Sequence, residues 1–249
     1  MKNYRTGLVS VSFRRNTPSE IILAAKNAEL SYIEWGSDIH APYQERDALH
    51  KIRELQEKQG IACSSYGTYF RLGVDTLDKL EGYIAAAKIL GTNILRVWCS
   101  DKSGAVMGES EREHLLAECK AAAVLAKEHG VVLCTERHKD TFTEIDEDAL
   151  SLLRSVDSDA FRTYWQPFQW RSAEENLKSA RTLSQYTKHV HVFNWREKER
   201  LPLSEAREEW RRYLHKLGED HTLLLEFMPD GRIESLSREA DALRDIIEG

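Results

Sequence analysis

Four short apolar runs in this chain each end in a side chain that can hold a cation or move a proton. Residues 131–136 carry no charge until Glu136, and His138 follows just beyond. Residues 162–166 end in Gln166, with Gln169 in the segment that follows. Residues 189–193 present His191 within an apolar alternation, and residues 223–227 present Glu226 after three leucines. Two carboxylates, one imidazole and one amide oxygen make a mixed oxygen and nitrogen donor set. Gathered at one point, such a set suits Mn²⁺ first, accommodates Mg²⁺ or Co²⁺, and suits Zn²⁺ less well. Coordination positions left open would let a substrate chelate through adjacent oxygens. Each residue alone has a plainer reading, since a glutamate at a strand end is ordinarily solvated or salt-bridged. The repetition at four successive runs is what argues for a site.

Those residues need elements that deliver them to one place. Strand-like runs recur at 8–13, 32–35, 61–66, 94–98, 131–136, 162–166, 189–193 and 223–227, each followed by a segment with helical spacing. The spacing between runs is that of one βα unit, and eight units use the whole chain without a linker. Thr17-Pro18-Ser19-Glu20 reads as a capping box with proline at the first helical position, and Ser110 to Glu113 and Ser172 to Glu175 repeat the box. Gly60, Gly91, Gly130 and Gly218 close helices shortly before the next strand. Leu77, Leu80, Ile84, Ala87 and Leu90 make one apolar stripe, and Leu236, Ala240, Leu243 and Ile247 another. Alternating strands and one-striped helices predict an α/β protein with a parallel sheet. Eight units in 249 residues predict one domain, residues 1–249, folded as a single (β/α)8 TIM barrel. In that fold the strand C-terminal tips surround one mouth, so Glu136, Gln166, His191 and Glu226 would converge there.

Composition narrows the partners. The net charge is −6, which disfavours nucleic acid and anionic membranes. No apolar run approaches the roughly 20 residues that span a bilayer. The opening residues carry no signal-peptide core, so the expected location is cytoplasmic. Cys63, Cys99, Cys119 and Cys134 form no CxxC pair and read as buried reduced thiols. Neither a G-x-G-x-x-G nor a P-loop sequence is present.

Several other residues have two readings. His189 points the same way as His191, one layer deeper, and is read as a core histidine. His40 lines the mouth or sits in a surface loop. Trp98, Tyr66 and Trp195 form an apolar wall for a sugar face or simply pack. Arg96 supports the site from below or makes an ordinary salt bridge. Arg196, Lys198 and Arg200 follow the seventh strand, where barrels often seat phosphate. A solvated cluster with Glu197 and Glu199 is the plainer account, and Arg196 is kept as the candidate substrate contact.

At these residues the chain resembles the xylose isomerase-like TIM barrels, specifically the sugar phosphate isomerase/epimerase group. Glu136-Arg137-His138 is similar to the family's strand-five Glu-x-His, and His191-Val192-Phe193-Asn194 to its strand-seven His-x-x-Asp. Glu226 is similar to its strand-eight glutamate and Ile33-Glu34-Trp35 to its strand-two pattern. The departure is on strand six, where Gln166-Pro167-Phe168-Gln169 stands in place of Asp-x-x-His. Glutamine brings a carbonyl oxygen without charge, which predicts weaker metal binding. The resemblance implies Glu136, Gln166, His191 and Glu226 as metal ligands and Glu136 and Glu226 as the bases that remove and return a proton. It also implies His138 on the oxygen that gains charge in an enediolate and Gln169 on a substrate hydroxyl.

The expected activity is a divalent-metal-dependent isomerase or epimerase of a small sugar or polyol ketone. A homo-oligomer is compatible with the reading. A lyase that dehydrates a keto-polyol shares the first step. A sugar-binding barrel with reduced catalysis would explain the two glutamines. Endonuclease chemistry on this fold would need several zinc ions and many more His and Asp ligands.

Overall fold

The computed structural model describes residues 4–249. In chain order the strands and helices are β1 (Arg5–Val9), α1 (Pro18–Asn27), β2 (Tyr32–Gly36), α2 (Arg46–Gln59), β3 (Ala62–Leu72), α3 (Leu77–Leu90), β4 (Ile94–Cys99), α4 (Glu109–Glu128), β5 (Val132–Thr135), α5 (Asp146–Val156), β6 (Phe161–Trp165), α6 (Ala173–Leu183), β7 (Thr187–Val192), α7 (Arg207–Leu217), β8 (Thr222–Leu225) and α8 (Leu236–Glu248). These eight strands pair in parallel and β1 closes on β8, so the barrel has no edges, and a short antiparallel hairpin of Trp195–Arg196 and Glu199–Arg200 follows β7. The expected single (β/α)8 TIM barrel is what forms.

The local signals act where they were read, with two shifts. Thr17 caps α1: Glu20 N–H donates to its hydroxyl at 3.4 Å, and Thr17 N–H donates back to the Glu20 carboxylate at 2.6 Å. Ser172 does the same for α6. At α4 the cap falls on Gly108, not Ser110, because Glu111 reaches back to the Gly108 N–H at 2.9 Å. The first strand also ends earlier than expected. Ser10–Phe13 is a 3₁₀ turn, because Ser10 Oγ accepts from Gly36 N–H at 2.9 Å and Ser12 Oγ from Phe227 N–H at 3.1 Å. The serines that completed an apparent alternation are ties between loops.

Apolar packing divides into two layers. A large cluster fills the space between barrel and helices, and includes Leu80, Ile84 and Leu90 of α3 and Leu236, Ala240 and Leu243 of α8. A small one, Val9, Ile94, Cys134, Tyr164 and Leu224, draws one residue from each of five strands. The four cysteines are free and buried, as expected. No helix among the described residues is long and apolar enough to cross a membrane.

Candidate active site

The strand tips deliver the expected side chains to one mouth. Glu136, Gln166 and Glu226 each sit one residue past the end of β5, β6 and β8, while His191 lies inside β7. The ladder continues past the ends: Glu136 N–H donates to Val97 O at 2.8 Å and Glu226 N–H to Val192 O at 2.9 Å. Their side chains therefore start from fixed backbone at similar height.

His191 is the hub. Its Nδ1 lies 3.1 Å from Gln166 Oε1, 3.4 Å from Glu226 Oε2 and 3.6 Å from Glu136 Oε1. Its Nε2 stands 3.5 Å from Glu34 Oε2. Burial by itself would lower the pKa of this imidazole, but the facing Glu226 and Glu34 carboxylates outweigh it and push it up to about 10. The surrounding carboxylates thus favour the protonated form of this ring.

The second cation is Arg96 of β4, fully enclosed. Its Nε donates to Glu34 Oε1 at 2.8 Å, and its Nη1 donates to Glu136 Oε2. Ser65 Oγ gives Glu34 Oε2 a further bond at 2.9 Å. Burial would raise the Glu34 carboxyl, but Arg96 and His191 win and hold it far below the carboxylate range. Gly67 makes room for the pair: a Cβ there would lie 2.8 Å from Glu34 Oε1 and 2.9 Å from Arg96 Nη2. The sequence flagged Arg96 as a support and Glu34 by its strand pattern, but no spacing revealed that they pair. A charge buried on β2 next to one on β4 was the available signal, since buried charges need partners.

Trp98 completes the hold on Glu136, donating from Nε1 to Oε2 at 2.7 Å. His138 stacks on the same indole at 4.3 Å between ring centroids, and Arg71 sits 4.1 Å from it. His138 Nδ1 faces the Lys139 carbonyl at 2.7 Å, so that nitrogen carries the hydrogen and Nε2 is left for a ligand. Gln166 is oriented too. Its Nε2 donates to Arg137 O at 2.8 Å, which turns the carbonyl oxygen toward His191.

Above these groups lies a cavity of about 360 Å³. Glu136, Gln166 and Glu226 line it, as do His138, Gln169, Trp98 and Trp195. The Trp195 indole N–H has no acceptor among the described residues. Other expectations land elsewhere. Arg196 is not part of this wall; it is paired with Glu209 on the outer side. Asn194 ties its loop by donating to Pro202 O at 2.9 Å. Tyr66 is core, bonded to Ala41 O, and His40 is buried against Ser10 Oγ at 3.1 Å. His189 is a core histidine with Nδ1 and Nε2 facing the carbonyls of Lys188 and Ser64; burial lowers its pKa to about 4. A larger groove of about 930 Å³ bounded partly by α7 and α8 contains none of the strand-tip residues.

The donors fit a divalent ion in kind, and three oxygens stand 3.1–3.6 Å from His191 Nδ1. Ligands about 2.1–2.3 Å from one ion stand roughly 3.0–3.5 Å apart when adjacent, close to the separations around His191 Nδ1. Among the described residues, however, no three His, Cys, Asp or Glu side chains are set around an ion-sized position. Arg96 and His191 occupy the carboxylates, so the set is a closed cluster in which His191 would give up any proton on the ligating nitrogen to bind an ion. Glu136, Gln166, His191 and Glu226 are the side chains that would hold an ion.

Comparison with known proteins gives the family. The sequence matches the xylose isomerase-like TIM barrel family over residues 22–247. The chain belongs to that family. Comparison with curated protein sequences gives no significant match. Among solved structures, this xylose isomerase-like barrel is similar to the probable 3-DHS dehydratase AsbF of Bacillus anthracis, involved in petrobactin synthesis, with a TM-score of 0.83 at 19% identity over 97% of this chain and 99% of that one. It is similar to D-psicose 3-epimerase of Clostridium cellulolyticum H10, solved with D-tagatose, with a TM-score of 0.70 at 13% identity over 100% and 99%. It is also similar to a xylose isomerase-like barrel protein of Mycobacterium smegmatis in complex with magnesium, with a TM-score of 0.72 at 14% identity over 99% and 96%. At these identities the likeness is one of fold.

Proposed function

We propose that this barrel is a divalent-metal-dependent enzyme that removes a proton from carbon next to the carbonyl of a small sugar or polyol ketone. The observation that carries the reading is the meeting of Gln166, Glu136 and Glu226 within 3.1–3.6 Å of His191 Nδ1 at the foot of the cavity. A bound divalent ion, Mn²⁺ by preference, would polarise the carbonyl and acidify the neighbouring C–H. Glu226 is the base. Among the described residues its carboxylate has one ion-pair partner, His191 at 3.4 Å, which leaves it able to take a proton. Glu136 is held by Arg96 and Trp98 through Oε2 and keeps Oε1 toward the cluster. His138, in its doubly protonated form, keeps Nδ1–H on the Lys139 carbonyl and donates through Nε2 to the oxygen that gains charge. Gln169 meets a substrate hydroxyl.

The outcome expected from the sequence is isomerisation or epimerisation, with the order of the two glutamates left open; with Glu226 as the base, Glu136 would return the proton through Oε1. The likeness to a D-psicose 3-epimerase agrees with that class of chemistry. A second reading, elimination of water, is favoured by the unequal bonding of the two glutamates. Elimination needs one free carboxylate base and one acid for the departing hydroxyl, and Glu226 and His138 supply them. The dehydratase neighbour fits this reading. The test is turnover in deuterated water with Mn²⁺ and a panel of keto-polyols. Solvent deuterium in a product of unchanged composition supports isomerisation or epimerisation. Loss of one water supports elimination. A Glu226→Gln protein that still exchanges the substrate proton at the wild-type rate would remove the proposal.

A further inference from the structure

The catalytic cavity has a neighbour. The loops after β1 and β8, with the hairpin after β7, border an open groove of about 560 Å³ whose arginines are exposed. The two share Val11, Arg14 and Phe227 as walls. This second space holds four arginines, Arg14, Arg15, Arg200 and Arg232, against two carboxylates, Asp230 and Glu234. That excess of positive charge runs against the chain's net charge of −6.

The partners of these groups are uneven. Arg14 is fixed at the seam, giving Nη1 to Asp38 at 2.6 Å and Nη2 to the Tyr69 hydroxyl at 2.9 Å. Arg232 faces Glu234 at 3.4 Å. Asp230 is spent on the Arg232 N–H at 3.0 Å and the Ser235 hydroxyl at 2.6 Å. Arg15 and Arg200 have no carboxylate partner among the described residues. Arg200 is nevertheless held in place, 4.9 Å from the Trp195 ring and 4.7 Å from that of Phe227. Both rings belong to the wall of the catalytic cavity. The two rings lie 5.0 Å from each other and so on one side of the guanidinium, which leaves N–H groups on its other side for an anion. Phe227 is itself pinned, with φ of 57° and its N–H on Ser12 Oγ, which joins the β8 loop to the β1 loop.

We propose that this second lobe receives an anionic group, a carboxylate or a phosphate, at the end of the substrate remote from the reacting carbonyl, with Arg15 and Arg200 donating to it. The inference rests on reading the adjoining cavity as the place where the carbonyl reacts. It makes the substrate an acidic or phosphorylated keto-polyol rather than a neutral sugar. It also moves the specificity-determining arginine from Arg196, which faces Glu209, to Arg200.

The test is calorimetric titration at constant ionic strength with inorganic phosphate and with malonate, without added metal. The wild type is compared with the Arg15→Gln/Arg200→Gln double variant and both single variants. Binding of either anion, weakened about tenfold per arginine removed, is the expected result. Preference for phosphate names a phosphate ester, and preference for malonate names a carboxylic acid. Absence of binding by both anions, or equal binding by the double variant, overturns the inference. Mn²⁺ uptake is measured on the same samples. Failure of the wild type to bind Mn²⁺ would count against the proposed reaction, and the anion result would stand or fall on its own.

Discussion

The two sides of the barrel mouth are built differently. On the side of β2, β4 and β5, each carboxylate has two donors: Arg96 joins Glu34 to Glu136, Ser65 adds to Glu34, and Trp98 adds to Glu136. On the side of β6, β7 and β8, Gln166, His191 and Glu226 meet at 3.1–3.4 Å with few other ties. One side is saturated and therefore rigid. The other keeps a carboxylate that can change its partner. A site that must hold a cation and also move a proton needs both, and here the tasks fall to different strands.

The largest effect should come from breaking the saturated side. Replacing Arg96 by methionine leaves Glu34 and Glu136 buried without their cation. Loss of one partner of a buried pair costs about 3–5 kcal/mol, so melting should fall well below that of the wild type. Lysine should rescue little, since one ammonium cannot bridge two carboxylates in the way a guanidinium does. A melting temperature unchanged in Arg96→Met, followed by calorimetry, would show that the two sides are not different in kind. Next comes Glu226→Gln on the open side. Its rate of proton exchange should fall by about 10²–10⁴ while its melting changes little. A variant equally unstable and equally inactive on both sides would erase the contrast.

The depth at which the sequence was legible follows the same division. Glu136, Gln166, His191 and Glu226 could be read because each ends or nearly ends an apolar strand, a signal confined to a few neighbouring residues. The barrel could be read because capping boxes such as Thr17 to Glu20 and closing glycines are equally local. The bond from Arg96 to Glu34 crosses 62 positions, and nothing within β2 or β4 encodes that the two meet. Arg196 and Arg200 lie on opposite strands of one hairpin, and only the fold decides which turns toward Trp195 and which toward Glu209. Ser10 and Ser12 read as strand because serine alternating with apolar residues mimics a half-buried strand, while their hydroxyls bind other loops.

Gln166 tests the boundary between the two sides. Its Nε2 needs the Arg137 carbonyl at 2.8 Å, and glutamate has no hydrogen to give there. Gln166→Glu should gain a charge toward a metal but lose its orienting bond, and a lost orienting contact typically costs 10–100-fold in metal affinity. Mn²⁺ titration followed by electron paramagnetic resonance measures the balance. Tighter binding by the glutamate variant would mean that charge outweighs orientation.

Two substitutions of similar cost separate support of the site from support of the fold. Trp98→Phe removes one donor from Glu136 Oε2 and keeps an aromatic face for His138, for a loss of about 1 kcal/mol. Thr17→Ala removes the cap of α1, on the outer ring, also for about 1 kcal/mol. The cap has its own pH signature. The Thr17 backbone N–H, then its hydroxyl, holds the Glu20 carboxyl below its ordinary value. Its contribution is therefore present above the unfolded carboxyl's pKa and lost as pH falls through the lower folded one. The stability gap between wild type and Thr17→Ala should narrow in acid. Turnover at equal folded fraction decides the rest. Trp98→Phe should slow proton exchange because Glu136 is less firmly held, and Thr17→Ala should leave it unchanged. If the two variants slow exchange alike, the donors on Glu136 serve only the fold, and the saturated side has no part in the chemistry.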